Sequence, residues 1–222
     1  MKISKFFFSV LLLIFLFAGL RGQRKLIIGP TIGFDISRPI MPLIYPGRFG
    51  AAASIDFPVK RNLLPVGELG WESTRMDNSG LIYSLDGIYG RLGASFNLLK
   101  NDRVQPHDMI LIGFRVAGSY FAQSANAAIK SDYWDDYNLD YPSENLNSTW
   151  FELKGGLRTE LINNVFIGWG IDLRFRVSQQ KSSYMHDYYI PGYGKSSSKI
   201  QPGITYSIYY KIPIIREKKT PL

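Results

Sequence analysis

His186 and Asp187 stand side by side in "SSYMHDYYIPGYGK", with Ser182 and Ser183 a few residues ahead. A hydroxyl, an imidazole and a carboxylate within hydrogen-bond reach make the nucleophile, base and orienting acid of a hydrolase. On a cell surface such a group would modify lipid or glycan. A loop histidine beside an aspartate is more commonly a solvated or partner-contacting residue, and His186 is assigned that role. His107, the other histidine, follows Pro106 in a short turn. One histidine with scattered carboxylates supplies too few ligands for a transition metal. The stretch "SDYWDDYNLDYPSEN" interleaves Asp132, Asp135, Asp136, Asp140 and Glu144 with Tyr133, Trp134, Tyr137 and Tyr141. It has no glycine at the turn, so its acids do not match an EF-type calcium loop. Amphipathic aromatics among acids suit a protein or glycan contact surface. The expected catalytic, cofactor-binding and metal residues are none. The candidate contact residues are Tyr133, Trp134, Tyr137, Tyr141, His186, Tyr188, Tyr189 and Tyr193, which with Tyr184 would form an aromatic rim.

These loops need a scaffold, and the sequence between them has a period of two. In "VFIGWGIDLRFRV" the odd positions from Val165 to Val177 are all large and apolar. Gly168, Gly170, Asp172, Arg174 and Arg176 take the even positions after Phe166. A β-strand sends successive side chains to opposite faces, so this strand has one apolar and one charged face. Seven further strands share the pattern, starting near Leu26, Phe49, Gly67, Ile88, Ile110, Phe151 and Gly203. The first is expected to run unbroken through "LIIGPTIGFDIS", with Ile28, Ile32 and Phe34 on one face. Tight connections near 60–64, 100–107 and 162–164 alternate with mostly longer ones at 38–48, 76–80, 124–148 and 179–199. Short turns at one end and longer loops at the other are the pattern of an outer-membrane barrel.

The polar faces carry Glu68, Glu72, Arg91, Arg115, Glu152, Lys154, Arg158, Glu160, Asp172, Arg174 and Arg176. Both signs occur deep within the strands. An eight-stranded barrel has an interior just wide enough for side chains, so these charges are expected to pair there as a network. Aromatics near strand ends, among them Phe49, Trp71, Trp150, Phe151, Tyr206 and Tyr210, are expected to form interfacial belts. The fold class is therefore an all-β, eight-stranded antiparallel transmembrane β-barrel with a filled polar lumen, after an N-terminal signal peptide.

Lys2 and Lys5 precede the apolar run Phe6–Phe17, which ends in small residues. That is the layout of a signal peptide, and the run is too short for a spanning helix of roughly 20 residues. The expected division is a signal peptide over 1–22, a barrel over 23–215 and a short basic tail over 216–222. Removing Lys2, Lys5 and Arg21 from 26 basic residues leaves 23, against 18 acidic, so the net charge falls from +8 to +5. The remaining charges are interleaved rather than clustered, so no nucleic-acid partner is expected. The chain has no cysteine, which excludes disulfides and thiolate metal sites.

"WFELKGGLRTELINNVFIGWGIDLRFRVS", "YYIPGYGK" and "GITYSIYYKIP" resemble a family of small Bacteroidota outer-membrane barrels classed as a domain of unknown function, as do "DMILIGFRVAGSYF" and "LDGIYGRLGASFNLLK". The resemblance implies the barrel but no activity and no catalytic residues. "QPGITYSI" resembles the signal read by barrel-insertion machinery.

The expected protein is a non-enzymatic barrel of the cell outer membrane without cofactors. Its role is structural or in protein interaction, with loops 124–148 and 179–199 as contact surface. Its partners are outer-membrane lipid and a larger outer-membrane complex. The alternatives are an accessory subunit of an assembly or secretion complex and a lipid- or glycan-modifying enzyme. A pore would contradict the filled lumen.

Overall fold

The computed structural model describes residues 27–60, 62–78, 81–99, 107–129, 137–185 and 187–216. Eight strands close into one antiparallel barrel: β2 (Thr31–Asp35), β3 (Arg48–Asp56), β4 (Leu63–Asn78), β5 (Leu81–Asn97), β6 (Asp108–Ile129), β7 (Tyr137–Ile162), β8 (Val165–Gln179) and β11 (Ile200–Lys211). Neighbours in sequence are neighbours in the sheet, and β11 closes the ring between β8 and β2. Closure leaves no sheet edge around the ring, which any wall facing lipid requires. Short elements complete the chain. They are β1 (Ile27–Ile28), α1 (Ser37–Ile40), β9 (Tyr189–Ile190), β10 (Gly194–Lys195) and β12 (Ile215–Arg216).

The side chains are arranged inside out. Ile32, Leu69, Ile88, Leu92, Ile112, Phe114, Leu153, Leu157, Ile171 and Ile204 are exposed on the outer wall. Glu72, Arg91, Arg115, Glu152, Arg158, Asp172 and Arg174 are buried inside. Period two produces this arrangement directly, because each strand runs through the wall and keeps its parity between the register shifts at Gln123/Ala125, Thr149/Trp150 and Glu160/Ile162.

Three sequence expectations need correction. The first strand is split. Pro30 has no N–H to donate to a ladder, so β1 leaves the barrel and pairs with β12, while pairing with β11 begins at Thr31. Second, the segment 124–148 is mostly strand. β6 continues to Ile129 and β7 begins at Tyr137, so this hairpin stands on a ladder that runs far above the other side of the barrel. The 26 residues of β7, at about 3.3 Å each and a tilt near 40°, rise roughly 65 Å, against an apolar band about 25 Å tall. Polar outward residues hid this extension from a search for apolar alternation, yet the backbone ladder does not depend on them. Third, Trp150 lies in the lumen with 0% exposure, whereas Phe151 faces out at 40%. Adjacent residues on a strand cannot share a face, and Trp150 has the parity of Glu152.

Candidate functional site

The lumen is filled in layers. At the turn end, Leu64, Met109 and Phe166 form a small apolar cluster. Lys211 sits over the Phe166 ring at 5.0 Å, and His107 bonds through Nδ1 to Glu160. Above this, Arg158 pairs with Asp56 at 2.7 Å and lies 3.9 Å from the centre of the Tyr209 ring. The middle layer is a connected network. Glu68 accepts from Arg91 and from Arg115, the latter at 2.7 Å. Glu152 accepts from Arg91 Nε at 2.8 Å and from Trp150 Nε1 at 2.7 Å. Asp172 pairs with Arg174 at 2.5 Å and with Lys154 at 3.4 Å. Nearer the loop end, Arg38 of α1 turns inward to Asp35 and Glu72. Each charge is thus matched by an opposite one, which is the condition for carrying ions in a low-dielectric interior. A cavity of about 30 Å³, bounded in part by Asp56, Arg115, Lys154, Arg158 and Tyr209, remains among these groups. It holds little more than one water.

The connection between β8 and β11 closes the mouth. Its hairpin of β9 and β10 puts Tyr189, Ile190 and Tyr193 at 3%, 0% and 0% exposure. They pack against Leu85, Phe121 and Leu146 on the inner face of the tall β5–β7 wall, beside Ala52 and Trp150. Polar contacts hold the same hairpin down. Arg91 Nη2 donates to the carbonyl of Gly192 at 2.6 Å, and Arg174 Nη1 donates to that of Tyr193 at 2.8 Å. The N–H of Gly192 donates to Glu72 Oε2 at 2.8 Å. Hydrogen bonds to charged groups contribute about 1.5–3 kcal/mol each, and a fully buried large side chain roughly 1.5–3 kcal/mol more. Gly192 has φ +76°, and a Cβ there would lie 2.5 Å from the Tyr89 ring. Only glycine fits that conformation and that contact. Gly70 makes similar room for Tyr89 from the other side.

This placement revises the candidate contact surface. Tyr189 and Tyr193 are parts of the plug, not of a rim, because the tall wall offers an apolar inner face that they cover. Tyr141 is half-buried against the same cluster. Tyr188 and Tyr184 are exposed, and Tyr188 meets Tyr83 edge to face at 6.2 Å. Tyr137 opens β7. Tyr133, Trp134 and His186 lie outside the described residues, as does the segment 1–22 expected to be a signal peptide. Arg176 is half-buried at the mouth, donating to the Ser196 carbonyl at 2.6 Å. Alternation puts Asp35, Asp56, Tyr89 and Lys211 on the polar faces of their strands, but the expected charge network left them out, and Arg38 was not expected in the lumen at all. The parity of each strand residue was a usable signal. Arg38 sits in a helical turn where no parity applies.

Two carboxylates at the loop end anchor the closing connection. Asp187 accepts from Gln123 at 2.6 Å and from Gln179, and burial raises its pKa. Glu144 accepts from the Ser182 hydroxyl at 2.6 Å, which lowers its pKa. Among the described residues no cluster of three or more His, Cys, Asp or Glu is placed to hold a metal.

Fold and site together define a class: an eight-stranded antiparallel barrel with an ion-paired lumen, plugged by its own last loop. The chain belongs to the family described as a domain of unknown function, DUF6048, whose match spans residues 3–217. No curated protein matches it. Among solved structures it is similar to CarO2 of Acinetobacter baumannii, with 11% identity and a TM-score of 0.38 over 86% of this chain and 100% of that one.

Proposed function

We propose that this is an integral, non-conducting barrel of a Bacteroidota-type outer membrane, whose job is to hold its loop end as a non-enzymatic contact surface. In this reading residues 1–22 direct export, 23–215 form the barrel, and 216–222 are a periplasmic tail. The observation that carries it is the pairing of an apolar outer wall with a lumen that the chain fills itself. An apolar exterior of this extent suits acyl chains. The effort spent on the tall β4–β7 wall and its packed plug falls entirely at one end, the end with the longer connections.

Two measurements test this. Lys199→Cys places a thiol on the exposed last connection, and intact cells should react there with a membrane-impermeant maleimide. Purified protein in planar bilayers should show no steady conductance. A thiol that reacts only after lysis would reject the surface role, and a stable open channel would reject the closed lumen.

A further inference from the structure

The two limbs of the last connection, 181–185 with 187–188 and 195–197, bound a cleft of about 780 Å³ at the loop end. That volume lies within the usual range for small-ligand sites. Its chemistry is that of a polyol site. Ser183 and Ser197 present hydroxyls, those of Ser182 and Ser196 being bonded within the protein, and Tyr184 and Tyr188 contribute exposed rings that can lie against sugar faces. Its charge is net positive. Arg176, Lys181 and Lys195 border it against Asp187, with Glu144 of β7 at its margin on Ser182 and Ser183, a balance of three to two. The Asp187 carboxylate is already taken up by the amides of Gln123 and Gln179.

The cleft is also built in advance. Arg176 Nη1 reaches both the carbonyl and the hydroxyl of Ser196, at 2.6 and 3.1 Å, and Gln179 holds the same hydroxyl at 3.0 Å. The Ser196 N–H donates to the Tyr188 carbonyl at 3.1 Å, tying one limb to the other. Glu144 of β7 fixes the first limb through the Ser182 hydroxyl and the Ser183 N–H. A ligand would meet cations and hydroxyls whose positions are set before it arrives, which lowers the ordering cost of binding.

We propose that this cleft binds an anionic oligosaccharide, a short run of sugar units bearing carboxylate or sulfate groups. The proposal rests on the loop end being the outward contact surface. The sugar can belong to the cell's own surface polysaccharide or to an external polymer.

The test uses the full-length protein in lipid nanodiscs and two fluorescent probes of equal length, an oligogalacturonide and a neutral malto-oligosaccharide. The oligogalacturonide should bind at least tenfold more tightly, and added salt should weaken it. The double variant Lys181→Gln/Lys195→Gln should reduce its affinity at least tenfold, while the barrel keeps its heat-modifiable migration on gels. Equal affinity for both probes, binding of neither, or indifference to the double variant overturns the proposal. Competition by purified surface polysaccharide of the same cells marks an internal source and supports it, and selective binding without such competition supports it with an external source. Lack of binding alongside surface labelling at Lys199→Cys removes this inference alone, whereas lack of labelling removes the reading beneath it.

Discussion

Arg91 on β5 donates from Nη2 to the main-chain oxygen of Gly192, 101 residues away in sequence and 2.6 Å away in space. The same guanidinium bonds Glu68 and Glu152. One side chain therefore ties the ion-pair network of the wall to the loop that closes the mouth.

Gly192→Ala should loosen the plug without unfolding the barrel. The new Cβ meets the Tyr89 ring, and φ +76° is strained for alanine. A cost of about 1–3 kcal/mol makes opening roughly 5- to 150-fold more frequent. Limited proteolysis of the segment 180–199 in nanodiscs should accelerate to that degree, with heat-modifiable migration retained.

Arg91→Met should destabilise the barrel by about 3–5 kcal/mol, because Glu68 and Glu152 lose the cation they share and keep only Arg115 and Arg174, which leaves one buried negative charge in excess. Adding Glu152→Gln should recover part of the loss, since it removes the excess charge. Urea unfolding in micelles, followed by tryptophan emission, measures both. Strictly additive effects of the two changes would contradict the network.

Replacing residues 188–196 with a glycine–serine linker should leave conductance at baseline. The layer of Arg91, Arg115, Glu152 and Arg174 lies beneath the plug and is tied together by ion pairs among wall residues. Planar-bilayer recordings check this, and a steady current would mean that the plug is the sole barrier.

The anchoring of the last connection should depend on pH in two opposed steps. The Asp187 pKa is raised by burial, so its contribution to anchoring is present below its unfolded value and is lost as pH rises through its folded value. The Glu144 pKa is lowered, chiefly by the Ser182 hydroxyl, so its contribution is present above its unfolded value and is lost as pH falls through its folded value. Protection of 180–188 against hydrogen exchange should increase as pH falls from neutral, then decline in stronger acid. Asp187→Asn should abolish the first step and Glu144→Gln the second.

The four tryptophans include two on the outer wall and one inside, Trp71 and Trp169 against Trp150. In variants retaining one of these at a time, brominated lipid should quench emission from Trp71 and Trp169 strongly and from Trp150 hardly at all. Quenching of Trp150 equal to theirs would invert the assignment of faces on β7.

The tryptophans also show how far the sequence could be read. Trp169 alternates cleanly with Gly168 and Gly170, so its outward direction follows from three adjacent letters. Trp150 carried the same information in its spacing from Glu152, yet an aromatic near a strand end drew it to the lipid belt. Register added a further obstacle. The shift between Thr149 and Trp150 against β8 is a bulge, and no local pattern announces it. The split at Pro30 was legible in principle, because a missing N–H ends a ladder.

From its sequence alone this chain determined which residues share a face, because alternation is a property of the extended backbone and needs no partner. It therefore determined that charges and apolar groups separate onto opposite sides of each strand, and that eight such strands follow one another. The destination of residues 189–194 was decided only by the closed barrel. A loop has no periodicity, and Tyr193 is driven inward by surfaces brought together from elsewhere in the chain: the Trp150 ring at 5.6 Å, and the Arg174 guanidinium on its own carbonyl. Those surfaces come together only when β7 and β8 pair in the folded sheet.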